Sequence, residues 1–154
     1  MNEEKIIERL KRIEREVERL RVKEKQVFVP LTTPLTSTSW DGDAYSSTSG
    51  KVLIDLSTVF GVPAGIKAII LEANFKDSGS ETGTAYDGPW LVFSGENTDS
   101  WQGAGVNIRG VPNDHYRNAH FIVACNDDGD IYYRLNASGT DTANIILKIW
   151  GYWL

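Results

Sequence analysis

The 154-residue sequence contains one cysteine, one methionine and two histidines. The single thiol, Cys125, excludes an internal disulfide framework and any zinc site built from several cysteines. It lies in the apolar run 121–125, where a small buried thiol is the expected role. His115 and His120 stand five residues apart outside any HExxH-like pattern, so they do not predict a zinc site. We therefore expect no metal and no cofactor.

Long apolar runs are also absent. No segment approaches the roughly 20 apolar residues that cross a bilayer, so membrane insertion is not expected. The first 14 residues, MNEEKIIERLKRIE, are charged throughout and lack the apolar core of a secretory signal. The sequence predicts a protein that has no signal peptide and is made in the cytoplasm.

Basic residues are scarce after the N-terminal segment. Residues 1–25 contain nine Lys/Arg and seven Glu, whereas the remaining residues contain seven Lys/Arg and fourteen Asp/Glu. Nucleic-acid binding needs basic patches that neutralise phosphates. An acidic segment after residue 25 therefore argues against nucleic acid as a partner and is compatible with carbohydrate or protein.

Signatures of catalysis are missing as well. The sequence has no nucleophile elbow, phosphate loop or kinase motif. A pair of carboxylates for glycoside hydrolysis stays open as an alternative, because the separations between acids are not visible in a sequence. However, Glu72 is predicted on an outward strand face and Glu81 and Glu96 in turns, without the burial that raises the pKa of a catalytic acid. We expect a protein that is not an enzyme.

Acidic side chains in the segment 126–130, NDDGD, could indicate calcium. The segment lacks the later Glu of an EF-hand loop, and Gly129 is at the wrong position. A β-hairpin turn explains the same residues without a metal.

Apolar residues near the N-terminus follow a heptad pattern. Ile6, Leu10, Ile13, Val17 and Leu20 are spaced by four, three, four and three residues, an average of 3.5. This period is typical of a left-handed coiled coil. The stripe is too narrow for a globular core, and one short helix is marginal in water, so the pattern predicts partner chains. The coiled-coil stalk is assigned to residues 1–26.

Trimers are favoured by the residues at the heptad positions. Leu10 at position a and Ile13 at position d favour three or four strands over two. Arg9 and Glu14 bracket them in a pattern that resembles the trimerisation motif of short coiled coils, in which Arg pairs with Glu of a neighbouring helix. A helix packed back on its own chain is the alternative, and an added oligomerisation tag would have the same pattern.

The remaining sequence predicts a connector and a β head. Residues 27–50 are rich in Ser, Thr, Gly and Pro, which is typical of a loop or extended connector, and Trp40 and Tyr45 suggest that it lies against the head. Residues 51–154 are assigned to an antiparallel β-sandwich resembling a jelly roll. The predicted strands cover 52–56, 66–75, 89–93, 106–109, 119–125, 131–135 and 143–153.

Candidate binding residues lie in polar loops. Loops 77–88 and 94–104 carry Tyr86, Asp87 and Trp101 among small polar residues. Aromatic faces beside polar side chains suit sugar rings. For Trp90 we prefer a role in capping the core or filling a subunit interface, and for Trp101 both roles stay open, as they do for Tyr116. A third loop, 112–118, adds His115, Tyr116 and Arg117.

The order of these parts resembles the trimeric fibre and receptor-binding proteins of bacteriophages. The segment 62–70, VPAGIKAII, looks like the strand entry of phage fibre tips, and Gly151-Tyr152-Trp153 is similar to the end of several such heads. The resemblance implies a homotrimer on the virion, at a fibre or the capsid surface, whose partners are a host-surface glycan or protein and other virion proteins. No site residue follows from it.

Three other functions remain as alternatives. The first is a purely structural fibre or capsid decoration protein without a ligand. The second is a glycan-degrading enzyme, which typically has a long repetitive β-helix that this sequence lacks. The third is a cellular trimeric ligand of the tumour-necrosis-factor type, which a missing secretion signal disfavours.

Overall fold

The chain folds into one long helix followed by two antiparallel sheets. The computed structural model describes residues 3–22, 26–79, 88–98 and 101–154. Mainly β structure, predicted for the region after the helix, is confirmed. The elements in chain order are α1 Glu3–Val22, β1 Phe28–Tyr45, β2 Val52–Ile54, α2 Leu56–Phe60, β3 Ala68–Asp77, β4 Trp90–Ser94, β5 Ala104–Asn107, β6 Arg117–Ala124, β7 Ile131–Asn136 and β8 Ala143–Trp153.

Each sheet contains four strands. Sheet I has the order β1-β8-β3-β6, and sheet II has the order β2-β7-β4-β5. All paired strands are antiparallel. Alternate residues of both sheets meet in one hydrophobic core, because side chains on a strand alternate between its two faces. Fully buried core residues include Ile69, Leu71 and Phe75 of sheet I and Leu91, Phe93 and Leu135 of sheet II.

Strand β8 occupies the centre of sheet I, between β1 and β3. It begins at Ala143 and ends at Trp153, the bounds predicted from the sequence. Its odd-numbered residues from 143 to 149 are buried, while its even-numbered ones are only partly buried. A strand with paired neighbours on both edges and one face in the core is held along its whole length.

Much of the predicted connector 27–50 belongs to a strand. Strand β1 pairs with β8 from Phe28 to Tyr45, with register shifts along the way. Pro30 and Pro34 cannot donate ladder hydrogen bonds, which is tolerated because β1 is an edge strand. Trp40 is buried and its ring contacts the rings of Tyr45 and Tyr133, which confirms that this segment lies against the head.

The segment 126–130 forms a turn but not the predicted hairpin. Asn126 N–H donates to the carbonyl of Asp130 at 2.8 Å, and the Asn126 side-chain oxygen accepts from the N–H groups of Asp128 and Asp130. The flanking strands β6 and β7 belong to different sheets, so the turn carries the chain across the core. The hairpin prediction was wrong because a tight turn does not specify the pairing partner of the strand that follows it.

A short helix that was not predicted, α2, follows β2. The Asp55 carboxylate accepts from the N–H of Thr58 at 2.9 Å, which caps the first turn. Gly61 ends the helix at φ 74°, a conformation that favours glycine. The Asp130 carboxylate accepts from the N–H of Leu56 at 3.0 Å and ties the helix to the start of β7.

The buried carboxylate of Asp77 joins the end of β3 to the loop between β7 and β8. It accepts hydrogen bonds from the N–H groups of Gly79 and Ser138, each at 2.8 Å, and from the Thr142 hydroxyl at 3.1 Å. The Ser138 hydroxyl donates to it as well. A carboxylate in this position satisfies backbone donors that would otherwise be buried without partners.

Asp77→Asn is expected to lower the free energy of unfolding by about 2 kcal/mol, because an amide replaces one acceptor oxygen with a donor that faces other donors. Urea denaturation would measure the change. Asp128→Asn, at an exposed position of the turn 126–130, is the matched control. Its free energy of unfolding should stay within about 0.5 kcal/mol of the parent value. Equal effects of the two substitutions would contradict the role assigned to Asp77.

Candidate functional site

The predicted binding residues lie on two different sheets. Tyr86 and Asp87 fall outside the described residues. Trp101 precedes β5 and contacts sheet II, whereas Tyr116 contacts sheet I just before β6 begins. The side chains of Trp101 and Tyr116 are equally exposed, at 45% each. Their surroundings therefore decide which of the two is better suited to a ligand.

Tyr116 is engaged by the outer face of sheet I. Its hydroxyl donates to the side-chain oxygen of Asn144 at 3.0 Å, and the Lys76 ammonium lies 5.2 Å from the centre of its ring. Lys76 also forms a 3.5 Å ion pair with Asp114. Both the hydroxyl and one ring face are thus used to hold loop 112–118 on the sheet.

His115 and Arg117 contact backbone carbonyl oxygens. The Arg117 guanidinium donates to the carbonyl of Asn107 at 2.7 Å, which links the start of β6 to the end of β5. The Nδ1 atom of His115 lies 3.0 Å from the carbonyl oxygen of Asn113, within its own loop. These contacts support the loop, and they occupy polar atoms that the sequence had offered as ligand contacts.

Trp101 lies over sheet II. The guanidinium carbon of Arg134 on β7 is 4.3 Å from the centre of its ring, a cation–π contact. In the register of β4 and β7, Arg134 stands opposite Val92. Leu91 and Phe93, on either side of Val92, belong to the hydrophobic core, so Val92 and Arg134 are on the opposite face of the sheet. The stacked pair therefore sits on the outer face of the sheet.

Trp90 extends the same surface. It is exposed on the outer face of β4, directly opposite Asn136 on β7 and Asn107 on β5. In this structure Trp90 lies outside the core. The sequence carries a signal for this position: in WLVFS, Leu91 and Phe93 are the apolar residues of one strand face, so Trp90 belongs to the other face. We call the set Trp90, Trp101, Asn107, Arg134 and Asn136 the aromatic face.

The loop that carries Trp101 is held by Lys51. Its ammonium contacts the Ser94 hydroxyl at 2.5 Å and donates to the carbonyls of Glu96 and Gln102 at 3.1 and 3.3 Å. Burial lowers the Lys51 pKa, Glu96 opposes that shift, and Arg134 adds to it. Contacts on both sides of the loop restrict where Trp101 can go.

Gly103 completes the anchoring of this loop. Its φ is 148°, and a Cβ atom there would lie 2.2 Å from the Phe93 carbonyl oxygen. Only glycine allows the loop to return this closely along β4.

A cleft of about 570 Å³, within the range of ligand pockets, lies between the Trp101 loop and the end of β6, where Ile122 and Ala124 line it. The residues of the aromatic face do not line it. Both ends of the Trp101 loop line it, together with the end of β6 and polar residues that include Glu96 and Asp127. Cys125 also lines it; burial, followed by the charge of Asp130, raises the pKa of this thiol to about 12, so it stays protonated. Among the described residues, no three His, Cys, Asp or Glu side chains come together as metal ligands.

A separate polar cluster surrounds Glu72 on the outer face of sheet I. Its carboxylate accepts from the side-chain amides of Asn74 and Asn118, each at 2.9 Å. The Lys148 ammonium donates to the same oxygen at 3.1 Å, and the Trp150 indole N–H donates to the other at 2.6 Å. We call Glu72 with these four partners and His120 the Glu72 cluster. The Nε2 atom of His120 lies 3.6 Å from the carboxylate.

The Glu72 carboxylate is held ionised. Its side chain is only 8% exposed, and burial by itself would raise its pKa. The hydrogen bonds from Asn74, Trp150, Lys148 and Asn118 outweigh burial and lower the pKa to about 2. A general acid needs the opposite shift, so this carboxyl group is unsuited to protonating a leaving group.

Stability is expected to depend on the ionisation of Glu72. An unfolded Glu with its ordinary pKa of 4.5 takes up a proton before the folded one at about 2. The contribution of Glu72 is therefore complete above pH 4.5 and is lost as pH falls toward 2. Thermal unfolding followed from pH 7 to pH 2 at one protein concentration should show a shallower acid loss for Glu72→Gln than for the parent. Identical pH profiles would contradict this.

Comparison with known proteins identifies no relative of this chain. No protein-family model, no curated protein and no solved structure matches it. Of the helices in the described part of the chain, none is both long and apolar enough to cross a membrane.

Proposed function

We propose that this chain is the subunit of a homotrimeric viral fibre head that attaches to a host-surface glycan without catalysis. The helix forms the stalk, and the two sheets form a β-sandwich that presents the aromatic face. The expected location is the surface of a phage virion. This is the function that the site supports best.

The stalk assignment is supported by the helix surface. Ile6, Leu10, Ile13 and Val17 are all exposed in the single chain, as is every other residue from 5 to 17. Leu20 lies in the same helix. An apolar stripe at heptad spacing that the rest of the chain leaves uncovered is stabilised by packing against other helices. Arg9 and Glu14 flank the stripe at the positions that pair between neighbouring chains.

The single observation that carries the glycan assignment is the exposed Trp101 held against Arg134. An anchored indole ring offers a rigid apolar surface for the CH face of a sugar, and nearby amides can bond its hydroxyl groups. Because the loop is already held by Lys51, little conformational freedom is lost on binding. Three such faces in one trimer raise a weak single-site affinity through avidity.

Trp101→Ala is expected to weaken binding to host envelope polysaccharide at least tenfold, the effect of losing about 1.4 kcal/mol at each site. Tyr116→Ala is the matched control, because its ring has the same exposure on the other sheet and should change binding less than twofold. Both variants can be compared with the parent on immobilised polysaccharide by surface plasmon resonance.

Each other outcome identifies a different function. Loss of binding only in Tyr116→Ala would move the site to loop 112–118. Absence of binding to any envelope glycan by the parent would favour the purely structural protein. Release of reducing ends from the polysaccharide would establish an enzyme instead.

A further inference from the structure

The outer face of sheet I, turned away from the core, changes in character along its length. At the end that contains Phe28, it carries apolar residues in successive rows across the sheet. Farther along it carries the Glu72 cluster. We call the first part the apolar end of sheet I and define it by the two rows described next.

The first row crosses all four strands. The register aligns Phe28, Trp153, Ala68 and Ala124 on the same side of β1, β8, β3 and β6. The rings of Phe28 and Trp153 are 4.6 Å apart, and the Phe28 ring remains exposed. The neighbouring residue of β3, Ile69, is fully buried, so the row faces away from the core.

The second row contains Gly151, Ile70 and Ile122. Ile122 is 68% exposed, the largest exposed fraction among the large apolar side chains of the described residues. The Phe28 ring lies over Gly151, where a Cβ atom would come within 2.7 Å of it. The two rows therefore form one continuous apolar surface.

A polar row borders this surface. Glu72 stands opposite Lys148 on β8 and His120 on β6, in the row that follows Ile70. A register shift between Ile70 and Leu71 places Trp150 as an extra residue of β8, and its indole N–H reaches the Glu72 carboxylate. An apolar centre with aromatic residues and a polar rim is the composition of protein–protein interfaces.

The stalk brings other copies of the chain to this surface. Five residues, 23–27, separate the end of α1 at Val22 from Phe28, so the two lie within about 20 Å of each other. The helix does not cover the apolar end in its own chain, because residues 5–17 are all exposed. Helices that associate through their heptad stripe therefore bring the apolar ends of neighbouring heads to the same end of the stalk.

We propose that the apolar end of sheet I packs against neighbouring copies of this chain, with Ile70 and Ile122 at the centre of the contact. This inference rests on the stalk assembly proposed above and assigns the surface through which the heads touch. The aromatic face on sheet II is left free for a ligand.

Hydroxyl-radical footprinting of the full chain tests this contact. The reference is a full chain carrying Leu10→Asp and Ile13→Asp, in which the stalk cannot assemble. Ile122 is expected to be labelled at least fivefold less in the parent than in the reference. Leu53, an apolar side chain 47% exposed on sheet II, is the matched control and should change less than twofold.

If the parent sediments as a trimer and the reference as a single chain, equal labelling of Ile122 in the two would overturn the contact, while the stalk and the glycan site would stand. A parent that sediments as a single chain would overturn both the contact and the trimer.

Substitution supplies a second measurement that does not need the reference variant. Ile122→Glu in the full chain should lower the thermal midpoint of the assembly by about 5 °C or more. Leu53→Glu should leave the midpoint within about 2 °C. Equal midpoints for the two variants would also overturn the contact. Polysaccharide binding by Trp101 is measured in a separate experiment.

Discussion

Replacing both Leu10 and Ile13 by aspartate is expected to reduce the solution mass of the full chain from three times 17.2 kDa to 17.2 kDa. Aspartates at adjacent a and d positions put three charges into each of two successive apolar layers of a three-stranded stalk, and burying an unpaired charge is costly. A helix of 20 residues without partners is itself marginal in water. Sedimentation equilibrium at several concentrations would measure the mass.

The control for this substitution uses the same turn of the helix. Lys11→Asp with Arg12→Asp introduces two aspartates at positions b and c, which face solvent in the proposed stalk. This variant should keep the mass of the parent. If the variant with Leu10→Asp and Ile13→Asp remains trimeric, the heads alone determine the assembly. A parent chain that is monomeric would contradict the trimer itself.

Glu72→Ala is expected to lower the free energy of unfolding by about 4 kcal/mol. The substitution removes the acceptor that the Lys148 ammonium and the Trp150 indole N–H share, the Glu72 carboxylate, whose side chain is only 8% exposed. Two amide groups, from Asn74 and Asn118, lose an acceptor as well. The cost therefore exceeds that of deleting an exposed ion pair, which is typically under 1 kcal/mol.

Chemical denaturation of the variant and of two companions would test this role. Glu72→Gln keeps an acceptor oxygen but not the charge, so its loss should be about half as large. Glu96→Ala removes an exposed carboxylate and should change stability by less than about 0.5 kcal/mol. If Glu72→Ala and Glu96→Ala destabilise equally, the cluster contributes nothing beyond surface charge.

Several elements of this fold could be predicted because their signals are local. The heptad spacing predicted a helical stalk over residues 1–26, and the structure has a helix over Glu3–Val22, with residues 1–2 and 23–25 outside the described residues. The β-rich run 143–153, bounded by turn residues, predicted the bounds of β8. In both cases the pattern depends only on residues a few positions apart.

Other elements could not be predicted because distant residues decide them. Residues 28–45 have the composition of a loop, yet they form an edge strand since β8 supplies the hydrogen-bonding partners. The turn at 126–130 looked like a hairpin, but the strands beside it pair with β3 and β4 in different sheets. Turn chemistry specifies a reversal of the chain and not the partner that follows.

The candidate sites show the same division. Trp101 could be selected from the sequence because it is an aromatic residue in a polar loop. Its contact with Arg134 could not be predicted, because the two residues are 33 positions apart. The Glu72 cluster joins residues separated by 46 to 78 positions, apart from Asn74. These residues come together because β6, β3 and β8 pair in one register.

The sequence by itself determined that a heptad-patterned helix precedes an acidic, mainly β region without signatures of catalysis. The tertiary structure alone decided which strands share a sheet, which aromatic rings remain exposed and which carboxylate is surrounded by donors. The physical reason is that periodicity describes one element at a time, whereas burial and hydrogen bonding arise between elements. The outer faces of the two sheets, where we place the glycan site and the contact between chains, exist only once that pairing is formed.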